Sequence, residues 1–288
     1  MKDIEYWIWL SKIEGLNPKV VNDLLEKYDN PKTLWNKTKE ELIKDGVKEN
    51  YSNEITNNTY RQGLDKYLKY MNENKIEIIT VKDKQYPDKL KVIYDPPVVL
   101  YVKGNKNILN EKSMAIVGCR LCTKYGENIA KKLAYNLSLN NINVISGLAR
   151  GIDSFAHKGS LAGKGKTIAV VGCGLDRVYP EENRNLFNEI IKNEGAIISE
   201  YIVGTKPLAK NFPKRNRIIS GLSNGVIVVE ARKKSGTLIT VDFALDQGKN
   251  IYAVPGNIDN PNAFGTNELI RQGAKVVTKV QDILEDLL

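Results

Sequence analysis

From residue 113 onward the chain repeats one pattern: a short apolar run, a turn rich in glycine or serine, and a helix-forming segment. The seven apolar runs are Met114–Val117, Asn143–Ile145, Thr167–Val171, Ala196–Ile198, Gly225–Val229, Asn250–Val254 and Lys275–Val277. Strands that alternate with helices build a mostly parallel sheet with helices on both faces. The pattern therefore predicts a doubly wound α/β domain over residues 113–288.

Two segments of different character precede this repeat. Residues 1–75 carry apolar residues at helical spacing, such as Trp9, Leu10 and Ile13, and predict a small all-helical domain. Residues 76–112 contain two strand-like runs, Ile76–Val81 and Val98–Val102, with proline turns between them. We expect this lead-in to pair with the edge of the following sheet.

The charge of the chain points to an acidic partner. A formal net charge of +9 and a pI near 9.2 favour nucleic acid above other partners. No apolar run approaches the roughly 18 residues of a membrane helix, and the acidic residues near the N-terminus do not resemble a signal peptide. The sequence therefore predicts a cytoplasmic protein without a membrane partner.

Cysteine and histidine offer little chemistry. The odd set Cys119, Cys122 and Cys173 argues against a disulfide framework. Cys119 and Cys122 form a Cys-x-x-Cys pair, but a zinc site needs further ligands and His157 is the sole histidine of the sequence. We expect no metal, and we interpret His157 as a structural hydrogen-bonding residue.

The loops after the strands are the place to search for a ligand site, since ligands of open α/β sheets bind beyond the carboxyl ends of the strands. Their candidate site residues are Gly118, Arg120, Ser146, Gly147, Gly151, Gly172, Gly174, Ser235, Gly236 and Thr237. Glycine lets a phosphate approach the backbone, and a hydroxyl at a helix start can donate to it. Tight turns alone also select glycine, but several such loops at one edge favour an anion-binding groove.

A basic helix start adds to this groove. Within residues 211–222 the sequence predicts a helix that begins at Pro213 and has Lys214, Arg215 and Arg217 in its first turn. Cations at this end oppose the helix dipole unless an anion binds there. The candidate site residues of this stretch are Lys206, Lys210, Phe212, Lys214, Arg215, Asn216 and Arg217. The alternative is a solvated basic face in which a buried carboxylate anchors Arg215.

Two common phosphate-binding motifs are absent from the sequence. A dinucleotide fingerprint would have glycine where Arg120 stands and an acid where Ser146 stands. No Gly-x4-Gly-Lys-Ser/Thr sequence occurs, which excludes a P-loop ATPase. We therefore expect no nucleotide cofactor.

Several motifs together resemble one known family. They are Ile116–Gly118 with Arg120, Ser146–Asp153 with Ala156-His157, Gly172–Asp176, Tyr179-Pro180, Ser199–Tyr201, Phe212–Ile219, Ser235–Leu238 and Val254–Gly256. Residues 113–279 thereby resemble the Rossmann-like domain of the DNA-processing family DprA/Smf. Tyr86-Pro87, Asp95–Pro97 and a helical N-terminal domain of SAM-like or helix-hairpin-helix type extend the resemblance over nearly the whole chain.

The resemblance implies an extended Rossmann-like fold and a protein that is not an enzyme. Such a protein binds single-stranded DNA, protects incoming DNA, works as a homodimer and loads the RecA recombinase during natural transformation. By resemblance, Arg120 and residues 210–217 line the DNA pocket. Cys119 replaces the family's usual serine, and Asn17 replaces the second glycine of the hairpin. We also expect no C-terminal winged helix within this sequence.

An enzyme and a nucleotide sensor remain as alternatives. The helix start at Ser235-Gly236-Thr237 also resembles a motif of nucleoside-monophosphate phosphoribohydrolases, in which a glutamate stands at the position of Thr240. Without that carboxylate, glycosidic cleavage lacks its main acid–base group. We expect Glu200 and Asp153 to orient Arg215 or Arg217, and Glu230 to pair with a cation of the same cluster. A sensor of free nucleotide would use the same groove.

Overall fold

One mixed sheet organises the chain in the computed structural model, which describes residues 2–16 and 18–287. The strands are β1 (Ile76–Thr80), β2 (Val99–Gly104), β3 (Ser113–Val117), β4 (Asn143–Ser146), β5 (Thr167–Val171), β6 (Ala196–Ser199), β7 (Gly225–Val228), β8 (Asn250–Ala253) and β9 (Lys275–Val276). Their order across the sheet is β1-β2-β6-β5-β4-β3-β7-β8-β9. The predicted α/β fold is confirmed, and the predicted strands end within about two residues of those observed.

The strands from β3 to β9 run parallel, as the alternation with helices requires. Strand β2 pairs antiparallel with β6, and β1 pairs antiparallel with β2 at the edge. Strands β3 and β5 are buried along their whole length, which explains why they are apolar without alternation. The order in which strands are added changes direction between β3 and β7, so this is the switch point of the sheet.

Seven helices precede the sheet within the described residues. They are α1 (Asp3–Lys12), α2 (Pro18–Tyr28), α3 (Pro31–Trp35), α4 (Lys39–Lys44), α5 (Glu49–Thr56), α6 (Asn58–Arg61) and α7 (Leu64–Glu73). Trp9 and Trp35 meet edge to face at 5.0 Å in their core, and the Arg61 guanidinium lies 4.4 Å from the Trp35 ring centroid. The helical character predicted for residues 1–75 is confirmed. Asn17 lies outside the described residues, and the SAM-like assignment stays a prediction.

The remaining helices cover the sheet on both sides. They are α8 (Asp88–Lys91), α9 (Lys124–Leu139), α10 (Ile152–Ala162), α11 (Arg184–Lys192), α12 (Asn211–Leu222), α13 (Gly236–Asp246), α14 (Phe264–Arg271) and α15 (Gln281–Leu284). Alternate residues of a strand face opposite layers. Ile168 and Val170 pack with α8, α12, α13 and α14, whereas Ala169 and Val171 pack on the side of α11. Helices α9, α10 and α15 share a further apolar cluster.

The helical segment packs directly on the sheet. Leu10 and Ile13 belong to the same apolar cluster as Tyr101 of β2 and Phe187 of α11. The Ser11 hydroxyl also lies 2.6 Å from the Tyr101 hydroxyl. The proposed boundaries at residues 75 and 112 are therefore crossed by continuous packing. Among the described helices, none combines the length and apolar character needed to cross a membrane.

Candidate nucleic-acid interface

A cleft of about 630 Å³ opens beyond the carboxyl ends of the strands, at the switch point between β3 and β7. Its walls come from the loops after β3, β4, β5, β6 and β7, together with the first turns of α12 and α13. The candidate site residues on its surface are Gly118, Arg120, Phe212, Arg215, Asn216, Ser235, Gly236 and Thr237, with Arg232 and Lys234 beside them. The cleft is therefore built where an open α/β sheet binds ligands.

The loop after β3 places Arg120 at the mouth of the cleft. Gly151 makes this possible, because its φ of +73° suits glycine and a Cβ there would collide with the carbonyl oxygens of Cys119 and Arg120. The backbone N–H of Ile152 donates to the Cys119 carbonyl at 3.2 Å, which fixes the loop against α10. The backbone is thus held while the Arg120 side chain stays exposed.

Arg215 is an internal anchor of the cleft floor. Its guanidinium is buried and donates to the carbonyl oxygens of Gly147, at 2.8 Å, and Val170. Burial lowers the pKa of Arg215 to about 10, although the nearby Asp153 carboxylate opposes this shift. A Cβ at Gly147 would lie 2.6 Å from the guanidinium and 2.7 Å from the Asp153 carboxylate, so the close approach of these two side chains favours glycine.

Asp153 is held beneath the same loop. The backbone N–H of Gly147 donates to its carboxylate at 3.1 Å. Burial raises the pKa of Asp153, while the charge of Arg215 and the backbone donors act in the opposite direction. The expectation that Asp153 orients Arg215 agrees with the electrostatic attraction between them. The carbonyl oxygens of Gly147 and Val170, and not a carboxylate, accept the hydrogen bonds that anchor the arginine.

Helix α12 begins earlier than the sequence predicts. It starts at Asn211, so Pro213 is its third residue and Arg217 falls in the second turn. Pro213 is tolerated because the first N–H groups of a helix have no intrahelical acceptor. The prediction that three cations lie in the first turn and oppose the helix dipole is therefore wrong. Lys214 and Arg215, like Arg217, lie beyond the first three helical positions.

Arg217 does not reach the cleft, and its prediction as a phosphate ligand needs correction. The side chain is buried on the far side of α12, where it donates to Asp95 at 2.8 Å and to Glu200 at 2.5 Å. Burial alone would lower the pKa of Arg217, but the two carboxylates outweigh it and raise the pKa. Arg217 ties α12 to the lead-in segment, and Glu200 orients it as expected.

An aromatic pair forms one wall of the cleft. The rings of Tyr179 and Phe212 have their centroids 5.5 Å apart at an interplanar angle of 43°. The Arg120 guanidinium lies 5.8 Å from the Phe212 centroid. Gly172 packs under this ring, since a Cβ there would lie 3.2 Å from the Phe212 ring edge. Tyr179 is 39% exposed, so its ring remains available to a stacking base.

The opposite wall is the start of α13. The Ser235 hydroxyl accepts from the Thr237 backbone N–H at 3.2 Å and caps the helix. Gly236 is exposed and open on its Cβ side. Asn216 faces this turn and donates toward the Gly236 carbonyl at 3.5 Å. The Ser235 hydroxyl, which the sequence predicts as a phosphate ligand, therefore already caps α13.

Several candidates lie away from the cleft. Ser146 is buried and donates to the Ile116 carbonyl at 2.7 Å, so its hydroxyl is not available to a phosphate. Gly174 supports the following turn, where its N–H donates to the Thr205 carbonyl at 3.0 Å. Lys206, Lys210 and Lys214 are exposed but do not line the cleft. These lysines can contribute only to the positive electrostatic potential around the cleft.

Glu230 does not pair with a cation as predicted. Its buried carboxylate accepts from the Thr123 N–H at 2.9 Å and hydroxyl at 2.5 Å, and from the Asn262 amide at 3.3 Å. Since Thr123 caps α9, Glu230 joins the end of β7 to the start of that helix. The polar groups of Glu230 are therefore used for structure.

Sequence reasoning missed Arg232 and Lys234, which line the cleft from the loop after β7. With Lys233 they form three consecutive exposed cations. The signal is present in the sequence, because a basic run directly follows a predicted strand. A search of that loop for glycine and serine ligands alone does not detect this basic run.

Among the arginines, ion pairing distinguishes those that line the cleft from most of the others. Arg150, Arg177, Arg184, Arg217 and Arg271 each pair with a carboxylate. In the part of the chain that the structure describes, Arg61, Arg120, Arg215 and Arg232 have no such ion pair, and all but Arg61 line the cleft. Exposed cations that lack local counter-charges favour an anionic ligand.

The acidic and thiol groups of the cleft are poorly placed for catalysis. Asp153 is the one carboxylate among the described lining residues, and backbone donors and Arg215 already surround it. Thr240 lines the cleft at the position where the phosphoribohydrolase motif has glutamate. Burial raises the pKa of the Cys119 thiol, which lines the cleft, and of the Cys122 thiol, which does not. No cluster of three metal-ligating side chains occurs among the described residues.

His157 lies behind the cleft floor, fully buried, with its Nδ1 2.7 Å from the Thr167 hydroxyl. This contact agrees with a structural role. Burial, assisted by the charge of Arg215, lowers the pKa of His157 to about 3.

A pH dependence of stability follows from this histidine. The unfolded chain binds the proton near pH 6.5 while the folded chain does not, so stability is full above that pH and falls as the pH drops toward about 3. Between about pH 6 and 4 the unfolding free energy of the wild-type protein falls with decreasing pH. We expect the slope of this fall to be smaller in His157→Gln by up to about 1.4 kcal/mol per pH unit. Urea unfolding across that range measures it, and equal slopes for both proteins would contradict the prediction.

The comparisons with known proteins agree with this architecture. Residues 77–288 match the sequence profile of the family described as DNA recombination-mediator protein A. The chain belongs to this family. The DNA processing protein DprA of Bacillus subtilis is 44% identical over 225 residues, which are 78% of this chain and 75% of that protein. DprA of Streptococcus pneumoniae is 44% identical over 212 residues, 74% of each chain.

Solved structures of DprA proteins extend the match. The crystal structure of DprA from Streptococcus pneumoniae has a TM-score of 0.84 and 38% identity, and the match covers 99% of this chain and 98% of that one. A DprA structure from Helicobacter pylori, described in terms of its single-stranded DNA binding mode, has a TM-score of 0.66 and 30% identity over 74% of this chain and 97% of that one. The resemblance to the DprA/Smf family is thereby confirmed.

Proposed function

We propose that this recombination-mediator family member binds single-stranded DNA in the cleft at the switch point. The observation that carries the proposal is the meeting of unpaired cations with an aromatic pair. Arg120, Arg232 and Lys234 surround a cleft whose wall presents Tyr179 and Phe212. Phosphates are held by the cations, and bases stack on the rings. The Helicobacter pylori relative is described as binding single-stranded DNA, which supports the same ligand for this chain.

The size of the cleft favours a single strand over a duplex. Its lining residues come from five loops and two helix starts around a volume of about 630 Å³, which is too small to enclose a double helix whose major groove alone is about 12 Å wide. A single strand can turn its bases inward and expose them to aromatic side chains. The proposed ligand is therefore a flexible strand recognised by backbone charge and stacking, without a fixed sequence.

We further propose that the protein acts without catalysis, as a homodimer that protects DNA and transfers it to the RecA recombinase. These finer features rest on the family resemblance. The absence of a free carboxylate among the described lining residues favours a binding role over glycosidic cleavage. Filament assembly by RecA on protein-coated DNA, with and without this protein, tests the transfer.

Parallel titrations test the proposed function. The full chain is titrated by fluorescence anisotropy with oligo-dT, with a blunt duplex of the same length and with AMP. We expect oligo-dT to bind more tightly than both, because stacking adds about 1–3 kcal/mol per base and a mononucleotide engages only one phosphate. Equal binding of duplex and oligo-dT would contradict the proposal. Tight binding of AMP with weak binding of oligo-dT would favour the sensor, and release of free base would favour the enzyme.

A further inference from the structure

An aromatic side chain outside the cleft lies next to the basic run after β7. Phe264, the first residue of α14, is 46% exposed. The Lys233 ammonium lies 5.4 Å from its ring centroid. Phe264 does not line the cleft, whereas Arg232 and Lys234, the two neighbours of Lys233, do. The basic run thus faces the cleft and Phe264 at the same time.

The backbone around Phe264 is fixed to this run. The N–H of Ala231 donates to the Asn262 carbonyl at 2.7 Å, and the N–H of Gly265 donates to the Ala231 carbonyl at 2.7 Å. The Arg232 guanidinium also donates to the Asn262 side-chain carbonyl at 2.7 Å. The phenyl ring is therefore presented beside the cations by a rigid frame.

The same frame is connected to the loop that carries Arg120. The Asn262 side-chain amide donates to the Leu121 carbonyl at 2.9 Å. Leu121 lines the cleft and is 74% exposed. A continuous surface therefore runs from the aromatic pair, past Arg120 and Leu121, across the basic run to Phe264.

The charges of this surface favour a polyanion longer than one nucleotide. Arg120, Arg232, Lys233 and Lys234 are exposed, and within the described residues none forms an ion pair with a carboxylate. Like charges along one path repel each other unless phosphates are spaced between them. An aromatic ring at each end of such a path is the arrangement that holds a single strand.

We infer that Phe264 and Lys233 form a second base-stacking subsite, which binds nucleotides of the same single strand after they leave the cleft. Phe264 stacks one base, and Lys233 contacts the adjoining phosphate. The inference rests on the proposed function of the cleft. The inference adds that the protein binds an extended strand. Its affinity for an oligonucleotide then rises in two steps as the oligonucleotide becomes longer.

A length series of oligo-dT tests this subsite. Full-length wild-type protein, Phe264→Ala and Lys233→Gln are titrated with oligo-dT of about 4 to about 16 nucleotides, the range of known single-strand site sizes. We expect wild-type affinity for the short oligonucleotide in both variants. For the longest one we expect Phe264→Ala to bind about 5- to 150-fold more weakly, as for the loss of one stacked base. Phe264→Tyr restores binding because it keeps an aromatic ring.

The outcomes separate this subsite from the cleft. Tyr135→Ala, a half-exposed aromatic on α9, serves as the matched control and keeps wild-type affinity at all lengths. If Phe264→Ala matches wild type at every length while Arg120→Ala binds weakly, the second subsite is refuted and the cleft stands. If Phe264→Ala loses affinity equally for short and long oligonucleotides, the two-step path is also refuted. Failure of the wild-type protein to bind any oligo-dT refutes the proposed function itself.

Discussion

Replacing Arg120 by alanine is expected to weaken the binding of oligo-dT and to flatten its salt dependence. Arg120 is exposed at the mouth of the cleft, is not ion-paired within the described chain and lies 5.8 Å from the Phe212 ring centroid. On a single strand, each phosphate that the protein no longer neutralises reduces the slope of log K against log salt by about 0.7. The double variant Arg120→Ala/Lys234→Ala is therefore expected to reduce the slope by about 1.4.

Arg271→Ala provides the matched control for this experiment. Arg271 is exposed but pairs with Glu268, so its removal leaves the cleft unchanged. Affinity is measured for each variant over a range of salt concentrations, with the thermal midpoint recorded in parallel. Unchanged slopes for Arg120→Ala and for the double variant would show that the DNA does not occupy this cleft.

Replacing Arg217 by alanine is expected to destabilise the folded protein by about 3 kcal/mol or more, without acting on the cleft directly. The substitution leaves Glu200 without its cation in a place where its side chain is only 17% exposed. Breaking a buried ion pair by removing one partner costs about 3–5 kcal/mol. Asp95 is 32% exposed and regains some hydration, which places the expected destabilisation near the lower end.

Urea unfolding measures this destabilisation, and Lys214→Ala is the control. Lys214 lies on the same helix, is exposed and does not line the cleft, so its removal leaves the free energy of unfolding nearly unchanged. The triple variant Asp95→Asn/Glu200→Gln/Arg217→Met removes the uncompensated charges and is expected to recover part of the stability. A stable Arg217→Ala protein with weak DNA binding would restore Arg217 as a phosphate ligand and contradict its structural role.

The different positions of Arg215 and Arg217 explain why the sequence does not predict which cations at the start of α12 face the cleft. The sequence pattern assigns both arginines to one anion. In the structure Arg215 lines the cleft floor while Arg217, two residues later, points toward Asp95 and Glu200. Two residues are more than half a helical turn, so only one of the two can face the cleft. The rotation of α12 follows from the packing of Ile218, Ile219 and Leu222 against the sheet.

The α/β fold and the edge that carries the site could be derived from sequence alone. Strand and helix patterns are local, because a buried parallel strand requires a short apolar run and a doubly wound sheet requires helices between such runs. The glycine positions were also informative. Gly151, for example, is needed where the loop after β3 crosses the start of α10. Arg120 could be identified for a similar reason, since its loop directly follows the first parallel strand.

The tertiary structure alone decided which polar groups remain free to meet a ligand. Ser146 and Ser235 have the hydroxyl that a phosphate site needs, but one donates to the Ile116 carbonyl and the other caps α13. Arg232 and Lys234 join Arg120 because β7 pairs with β3, a neighbour that is distant in the chain. Local sequence determines what each loop contains. The order of the strands determines which loops meet, and the competition for hydrogen bonds within the fold determines which side chains are left to bind.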